Sequence, residues 1–360
     1  MIYTILFVLV FTLFGRSAVV YSEPESTLFV SAEHAVLIDA ESGRVLFEKD
    51  SYSSSLIAST TKIMTAIIAV ESGMMEEEVV VSERAIRTEG SSIYLTKGEK
   101  IKLKDLVYGL MLRSGNDSAI AIAEHVGGSA EGFTQMMNEK AAWLGMQASN
   151  FENPHGLDGE NHVSSAYDLA LLMAYSMKNE TFREVTGSVS YKSENRTYSW
   201  QNKNKLLTSL YEHTTGGKTG FTKRAGRTLV SSAEKDGMEL IAVTLNAPSD
   251  WSDHERMYEW GFNNFETYKL QEEGYTEANG NLYYLPKDIL FPLTESEKNQ
   301  IKAVFKPNAE GETYKGVRTY HLNENLVAES QVLAKRPPQP WLDSSLSFFK
   351  RMVGVELWST

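Results

Sequence analysis

The 360-residue chain carries three short polar motifs whose side chains complement one another, and this constrains its fold more than any other feature. The motifs are Ser59-Thr60-Thr61-Lys62, Ser114-Gly115-Asn116 and Lys218-Thr219-Gly220. Between them they supply a hydroxyl nucleophile, two amines, a second hydroxyl and an amide, which are the parts of a serine acyl-transfer site. Such a site exists only if the fold brings the three distant segments into one cleft.

The first motif predicts a serine that is activated by a lysine. A serine hydroxyl is a weak nucleophile until a neighbouring base removes its proton. Residues three apart on a helix share one face, so Lys62 can lie beside Ser59. A lysine acts as a base only if its pKa falls, and burial or a nearby cation such as Lys218 would lower that pKa.

The combination of motifs, rather than any single one, supports this interpretation. Ser-x-x-Lys also begins at Ser232 and Ser347, and Ser-x-Asn also begins at Ser193, whereas Lys-Thr-Gly occurs once. Each motif alone is better explained as a helix cap, a turn residue or a solvated lysine. All three in this order, each at the edge of a predicted helix or strand, favour the serine acyl-transfer site.

Glycines on both sides of Lys218 and Thr219 predict that a substrate backbone can approach this segment closely. The substrate would then lie antiparallel to a strand edge, as an added strand. We expect Lys218, Thr219 and Gly220 to form this substrate-binding edge, with the amine and the hydroxyl holding a terminal carboxylate. The backbone N–H groups of Ser59 and Phe221 are the predicted oxyanion hole, in which one donor accelerates a reaction by about a hundredfold or more.

The composition excludes several other functions. With 47 acidic and 35 basic side chains the net charge is −12, which argues against binding to nucleic acid and against electrostatic attachment of the whole body to anionic lipid. The chain has no cysteine, so it contains no thiol nucleophile and no disulfide. Its seven histidines are scattered, and none has the spacing typical of a metal site. We therefore predict no metal and no cofactor.

The hydrophobic pattern predicts an α+β fold, with an antiparallel sheet at one side of a helical block. Ser59 is predicted at the N-terminal end of a helix, and Asp117 is predicted to cap another helix. A strand hairpin comes first, and two strands and a helix follow the helical block. The predicted strands are 35–39, 44–47, 227–232 and 240–245, and the predicted helices are 59–73, 105–112, 119–126, 133–144, 165–177 and 251–265.

The chain is predicted to contain four segments. Residues 1–22 form a signal peptide, because an apolar run is followed by small residues; a buried N-terminal strand or helix is the alternative. Residues 23–267 form the catalytic domain. Residues 268–335 form a small all-β domain, because short strands alternate there with Gly, Pro and Asn turns. Residues 336–360 form a stiff, proline-containing linker and a final helix.

The final helix is predicted to be amphipathic, because Leu342, Leu346, Phe349 and Val353 fall on one helical stripe. This pattern favours a helix that lies in the surface of a membrane. The alternative is a helix that docks on the protein itself. Glu356 falls near the apolar face and counts against a long membrane-bound helix.

Longer segments around the motifs resemble the D-alanyl-D-alanine carboxypeptidases of serine peptidase family S11, the low-molecular-mass penicillin-binding proteins. The resemblance runs from about Ser31 to the end of the chain. Within the family, the chain is most similar to the sporulation-specific carboxypeptidase of endospore-forming bacteria. The segments that carry the family likeness are 57–65, 111–119, 153–157 and 216–222, and those that carry the closer likeness are 109–113 and 203–207.

The resemblance implies a role for each site residue. Ser59 would form the acyl-enzyme and Lys62 would accept its proton. Ser114 would relay a proton, Asn116 would orient the substrate and Lys218 would bind its carboxylate. The implied fold is the transpeptidase fold shared by penicillin-binding proteins and β-lactamases.

The resemblance also implies a substrate and a location. The enzyme would remove the terminal D-alanine from peptidoglycan stem peptides during maturation of the cell wall or the spore cortex, and β-lactams would acylate the same serine. It would be exported and held peripherally at the outer face of the cell membrane by its C-terminal helix. For a sporulation-specific enzyme, this location would include the space around the developing forespore.

Two other functions fit parts of the pattern. A class A β-lactamase uses a separate glutamate to activate the deacylating water, and no Glu-x-x-Leu-Asn stands between the second and third motifs. A non-catalytic peptidoglycan-binding or penicillin-sensing module would not need the complete set of motif residues. The sequence leaves open whether the substrate is monomeric or cross-linked peptidoglycan.

Overall fold

The computed structural model describes residues 28–278, 280–308 and 314–337. The predicted signal peptide, residues 1–22, lies outside the described residues, and so does the predicted C-terminal amphipathic helix.

The first part of the chain, up to residue 265, mixes strands and helices. Its strands are β1 (His34–Asp39), β2 (Val45–Lys49), β3 (Ser55–Leu56), β4 (Glu78–Val80), β5 (Lys100–Lys102), β6 (Val163–Ser164), β7 (Ser190–Tyr191), β8 (Trp200–Gln201), β9 (Thr214–Thr222), β10 (Gly226–Lys235) and β11 (Met238–Leu245). Its α-helices are α1 (Lys62–Glu71), α2 (Glu83–Ile86), α3 (Leu103–Arg113), α4 (Asn116–Gly127), α5 (Ala130–Leu144), α6 (Ala166–Met177), α7 (Glu180–Gly187) and α8 (Asp250–Asn264). A 3₁₀ turn, Ala58–Thr61, leads into α1, and a π-helical turn, Leu206–Leu210, precedes β9.

Strands β2, β1, β11, β10 and β9 form, in this order, an antiparallel five-stranded sheet within the described residues. The register places Val243 of β11 between Val36 of β1 and Val230 of β10. Strand β9 lies at one edge of the sheet, and it contains the whole Lys218-Thr219-Gly220 motif. The third motif therefore lies within a strand, whereas the nearest strand predicted from the sequence begins only at residue 227.

Side chains of the sheet alternate between two cores, as the two-residue period of a strand requires. Val36 and Ile38 pack with the helical block on one face. Leu37 packs on the other face with Tyr258 and Trp260 of α8. The sheet is thus covered on both faces, with one helix on one side and several on the other, which confirms the predicted α+β fold.

The helix boundaries follow the predicted signals in one case and depart from them in another. The Ser165 side chain caps α6 by accepting from the backbone N–H of Asp168, at the residue where the sequence predicts that this helix begins. The prediction that Asp117 caps a helix is wrong, because α4 begins with Gly115 as its N-cap and Asp117 lies in the first turn. The Asp117 carboxylate instead accepts from the backbone N–H groups of Ile93 and Leu95, both at 3.1 Å.

After residue 265 the described residues form mainly strands. These are β12 (Glu266–Gln271), β13 (Gly274–Ala278), β14 (Asn281–Leu285), β15 (Ile289–Leu293), β16 (Ile301–Pro307), β17 (Tyr314–Leu322) and β18 (Asn325–Leu333). Five of them form a sheet in the order β13-β14-β18-β17-β16, and β12 pairs with β15.

A buried ion pair joins this second part of the chain to the first. Arg44, in the connection between β1 and β2, places its Nη2 2.6 Å from Oε1 of Glu297, and both side chains are almost fully buried. The guanidinium also donates to the Pro292 carbonyl at 2.5 Å. It lies 5.2 Å from the ring centres of Phe265 and Phe291, in the geometry of a cation–π contact.

We expect Arg44→Ala to lower the free energy of unfolding by about 3–5 kcal/mol, because it leaves the Glu297 carboxylate buried without its counter-charge. Urea denaturation followed by tryptophan fluorescence would measure the change. Arg84→Ala, which removes one partner of the solvent-exposed pair with Glu131, is the matched control and should change stability little. Equal effects of the two substitutions would contradict this account of the junction.

Candidate active site

The turn that carries Ser59 is held in an unfavourable backbone conformation by its neighbours. Ala58 has a φ of 48°, in the left-handed region that a residue with a side chain rarely adopts. Gly156 lies against the Ala58 carbonyl so closely that a Cβ at residue 156 would be 2.0 Å from the oxygen. Thr228 Oγ1 donates to the Ile57 carbonyl at 3.0 Å. These contacts fix the turn immediately before Ser59.

The amine of Lys62 is fully buried and contacts three oxygen atoms. Its Nζ lies 3.0 Å from Ser59 Oγ and 2.7 Å from Asn116 Oδ1, and it donates to the His155 carbonyl. The amide and carbonyl oxygens can only accept hydrogen bonds, whereas the serine hydroxyl can also donate. A neutral amine has two N–H groups for the two acceptors and keeps a lone pair for the Ser59 proton. The contacts therefore suit Lys62 as a base.

The surroundings of Lys62 favour that neutral form. Burial lowers its pKa well below the usual value of 10.5, and the charges of Lys218 and Lys203 lower it further. Burial is the larger cause, since a cation loses its hydration there, and the two neighbouring amines add repulsion. The sequence predicted that Lys218 is the cation that lowers the pKa of Lys62, and the structure adds Lys203 as a second cation.

Ser114 and Lys218 meet on the opposite wall of the cleft. Helix α3 ends at Arg113, and its C-cap Ser114 has a φ of 64°, which turns the chain sharply towards α4. Lys218 Nζ lies 3.2 Å from Ser114 Oγ and donates to the Thr219 carbonyl at 2.6 Å. Burial and the charge of Lys203 lower the pKa of Lys218 to about 7. Lys218 thus joins the second and third motifs.

The amide of Asn116 is oriented by contacts at both ends. Its Nδ2 donates to the Glu89 carbonyl at 2.5 Å, and its Oδ1 accepts from Lys62. Because the donor and acceptor ends have different partners, the amide has one preferred orientation.

Strand β9, which carries Lys218, also lines the cleft next to Ser59. A Cβ on Gly220 would lie 2.3 Å from Thr228 Oγ1 and 2.9 Å from the Ser59 backbone nitrogen, so only glycine fits there. The Phe221 side chain is exposed and lines the cleft. The residues lining the cleft are Ser59, Ser91, Ser114, Lys203, Thr219, Gly220, Phe221, Arg227, Asp250 and Trp251.

A buried histidine supports the Ser59 turn from behind, and the sequence did not reveal it. His162 Nδ1 accepts from the Glu152 backbone N–H at 3.0 Å, so the proton is on Nε2, which lies 2.8 Å from Thr61 Oγ1. The Thr61 hydroxyl in turn donates to the Ala58 carbonyl at 2.8 Å. Burial lowers the pKa of His162 to about 4, so the ring is neutral at pH 7. The isolated position of His162 in the sequence offers no signal for this contact.

Every site residue that the sequence proposed lies at this cleft. The eight residues are Ser59, Lys62, Ser114, Asn116, Lys218, Thr219, Gly220 and Phe221. Lys203 lies outside the three motifs, in a segment that carries the family likeness, and it is the third amine of the site. No group of three or more metal-ligating side chains occurs in the part of the chain that the structure describes.

A serine beside a buried lysine, facing a Lys-Thr-Gly strand across a cleft, is the arrangement of the penicillin-binding proteins and class A β-lactamases. The family model "D-alanyl-D-alanine carboxypeptidase" (peptidase S11) matches residues 20–249, and the chain belongs to this family of serine-type carboxypeptidases. The predicted family and enzyme class are confirmed.

The chain is similar to curated and solved members of the same class. It is 34% identical to the D-alanyl-D-alanine carboxypeptidase DacF of Bacillus subtilis, over 91% of each chain. It is also 34% identical to DacC of Escherichia coli, over 71% of this chain and 67% of that one. Penicillin-binding protein 5 of Haemophilus influenzae superposes with a TM-score of 0.74 at 26% identity, over 86% of this chain and 98% of the other. Penicillin-binding protein 6B of Escherichia coli gives 0.71 at 27% identity, with coverages of 86% and 96%.

Proposed function

We propose that this enzyme removes the C-terminal D-alanine from peptidoglycan stem peptides through an acyl-enzyme on Ser59. The observation that carries the proposal is the 3.0 Å contact between Ser59 Oγ and the buried amine of Lys62. The names of the relatives, which are D-alanyl-D-alanine carboxypeptidases, support the choice of substrate.

Acylation begins when Lys62 accepts the Ser59 proton. The Ser59 oxygen then bonds to the carbonyl carbon of the penultimate D-alanine, and negative charge develops on the carbonyl oxygen. The backbone N–H groups of Ser59 and Phe221 stabilise that charge, as in other acyl-transfer enzymes.

The leaving D-alanine needs a proton and a binding site for its carboxylate. Ser114 donates its proton to the departing nitrogen, and the proton that Lys62 took from Ser59 replaces it on Ser114. The carbon–nitrogen bond breaks and D-alanine leaves with a neutral amine. Lys218 and the Thr219 hydroxyl bind the terminal carboxylate, while Asn116 holds the acyl-donor backbone.

Deacylation reverses the proton movements. A water molecule loses a proton to Lys62 and attacks the acyl carbon, and the ester bond to Ser59 breaks as the serine oxygen regains a proton. A β-lactam follows the first half of this path. Because its ring opens without releasing a leaving group, the fragment stays in the cleft, and its ester hydrolyses slowly.

The proposed location and domain organisation rest on the sequence. Residues 1–22 direct export, residues 23–267 carry the catalysis, residues 268–335 form a small β domain, and residues 336–360 attach the enzyme peripherally to the outer face of the cell membrane. The likeness to a sporulation-specific enzyme extends the location to the space around the forespore. In the described residues no helix has the length and apolar character needed to cross a bilayer.

Release of free D-alanine tests the proposal directly. We expect the purified enzyme to release one D-alanine from diacetyl-Lys-D-Ala-D-Ala, measured with a coupled D-amino-acid oxidase assay. The same peptide ending in L-alanine is the matched control and should stay intact. No release from the D-Ala-D-Ala peptide would refute the carboxypeptidase assignment.

A chromogenic cephalosporin separates this enzyme from a β-lactamase. We expect one burst of product, equal to the enzyme concentration, followed by slow turnover. Rapid steady turnover would instead favour the β-lactamase.

A further inference from the structure

A second pocket opens beside the catalytic cleft. It shares Ser91 and Lys203 with the cleft that contains Ser59, so the two spaces are adjacent. Its lining residues are Gly90, Ser91, Ser92, Ile93, Tyr94, Arg113, Tyr198, Trp200 and Lys203.

Two cations line this pocket, and both contact only neutral oxygen atoms. Arg113 Nη1 donates to the Gln201 carbonyl at 3.1 Å. Lys203 Nζ donates to Ser91 Oγ at 3.3 Å. Within residues 28–278, 280–308 and 314–337, neither side chain forms an ion pair with an Asp or Glu. Acidic residues outnumber basic residues in the chain, 47 to 35, so the lack of a counter-charge is a local property of this pocket.

The two cations also repel each other. Residue Lys203 as a whole is exposed, but its amine end is crowded, and partial burial together with the charge of Arg113 lowers its pKa. Two like charges that line one pocket without an anion are unfavourable, and a bound carboxylate would offset the repulsion. A pocket lined by charge of one sign also concentrates ligands of the opposite sign.

We propose that Arg113 and Lys203 bind a carboxylate on the acyl-donor part of the substrate, on the N-terminal side of the bond that is cut. This inference rests on the proposed function and adds a preference for acidic peptides to it. An extended peptide advances about 3.3 Å per residue, so a carboxylate one or two residues upstream of the acylated D-alanine can reach the adjoining pocket. In stem peptides such a carboxylate is present on the D-glutamate, and on diaminopimelate where that residue replaces lysine.

The test compares peptides that differ by one charge. The first pair is L-Ala-γ-D-Glu-L-Lys-D-Ala-D-Ala and its amide, in which D-isoglutamine replaces D-glutamate. The second pair has diaminopimelate or lysine at the third position of the amidated peptide. We expect the wild-type enzyme to cleave the acidic member of at least one pair with a kcat/KM about tenfold higher, mainly through a lower KM. The pair that shows the preference identifies which carboxylate is bound.

Variants of the two cations should remove the preference. In Arg113→Gln and in Lys203→Gln we expect the ratio of kcat/KM for the acidic and neutral peptides to fall towards one. Arg113→Lys keeps the charge and should retain most of the ratio. Lys178→Gln, which removes a positive charge outside the pocket, is the control and should leave the ratio unchanged.

Ionic strength provides a second measurement that a purely structural role would not affect. Because the contact is partly exposed, salt should screen it, and the wild-type preference should shrink between about 0.01 and 1 M salt. Equal cleavage within both pairs by the wild type, or a preference that survives both Gln variants, would overturn the inference while leaving the carboxypeptidase function intact. Failure to cleave any of the peptides would refute the proposed function, and this inference with it.

Discussion

Ser59→Ala is expected to abolish both the release of D-alanine and covalent labelling by a fluorescent penicillin. The substitution removes the atom that would bond to the acyl carbon. Loss of the nucleophile lowers kcat in serine hydrolases by about 10⁶-fold. The change is also conservative for the fold, because alanine keeps the backbone and Cβ of the turn before α1. Gel fluorescence after incubation with the labelled penicillin would measure acylation, and the D-alanine assay would measure turnover.

The chain offers a matched control for this prediction. Ser232 begins another Ser-x-x-Lys sequence, but it is fully buried in β10, where its hydroxyl accepts from Thr215 Oγ1 at 2.7 Å. We expect Ser232→Ala to be labelled as strongly as the wild-type enzyme. Labelling that persists in Ser59→Ala, with the thermal unfolding of both variants checked, would contradict the assignment of Ser59 as nucleophile.

The sequence predicted the members of the site because their chemistry is specific, although it did not predict how the backbone holds them. The spacing of Ser59 and Lys62 predicted side chains that meet, and they do at 3.0 Å. This spacing is typical of two residues on one face of an α-helix. Ser59 instead lies in a 3₁₀ turn after the left-handed Ala58, and α1 begins at Lys62. That conformation depends on Gly156, which is distant in sequence.

Contacts between distant segments also explain what the sequence missed. Asp117 has the residue type and position of a helix cap, but its carboxylate accepts a hydrogen bond from the backbone N–H of Ile93 in a neighbouring loop. His162 and Lys203 lie outside the three motifs and are near the site only because the fold brings them there. Local patterns cannot show such contacts, since the same side chains would suit an exposed loop equally well.

The amines of Lys62, Lys218 and Lys203 must be considered together, because the charges of Lys218 and Lys203 influence the protonation of the catalytic base. Lys203 lowers the pKa of both buried lysines, and Lys218 lowers that of Lys62. A substrate carboxylate bound at Lys218 would favour the charged form of that lysine. Repulsion from a charged Lys218 would in turn favour a neutral Lys62. Substrate binding would thereby keep Lys218 protonated, so that it binds the carboxylate, and keep Lys62 neutral, so that it can act as the base.

Lys62→Arg is therefore expected to slow acylation of Ser59 by about 10²- to 10⁴-fold, the usual contribution of a general base. Arginine stays protonated in proteins, so it cannot accept the serine proton. Stopped-flow measurement of penicillin acylation would give the rate constant. Lys235→Arg is the matched control, because Lys235 ends the unrelated Ser-x-x-Lys sequence of β10. Penicillin should acylate this variant at the wild-type rate.

The pH dependence distinguishes a lost base from a distorted site. In the wild-type enzyme the acylation rate should fall as the pH drops through the lowered pKa of Lys62, because protonation removes the base. The residual rate of Lys62→Arg should lack this step, since arginine does not titrate in that range. For peptide substrates, kcat/KM should also fall as the pH rises above about 7, where free Lys218 loses the charge that binds the carboxylate. An Lys62→Arg enzyme that acylates at the wild-type rate, or that keeps the low-pH step, would show that Lys62 is not the base.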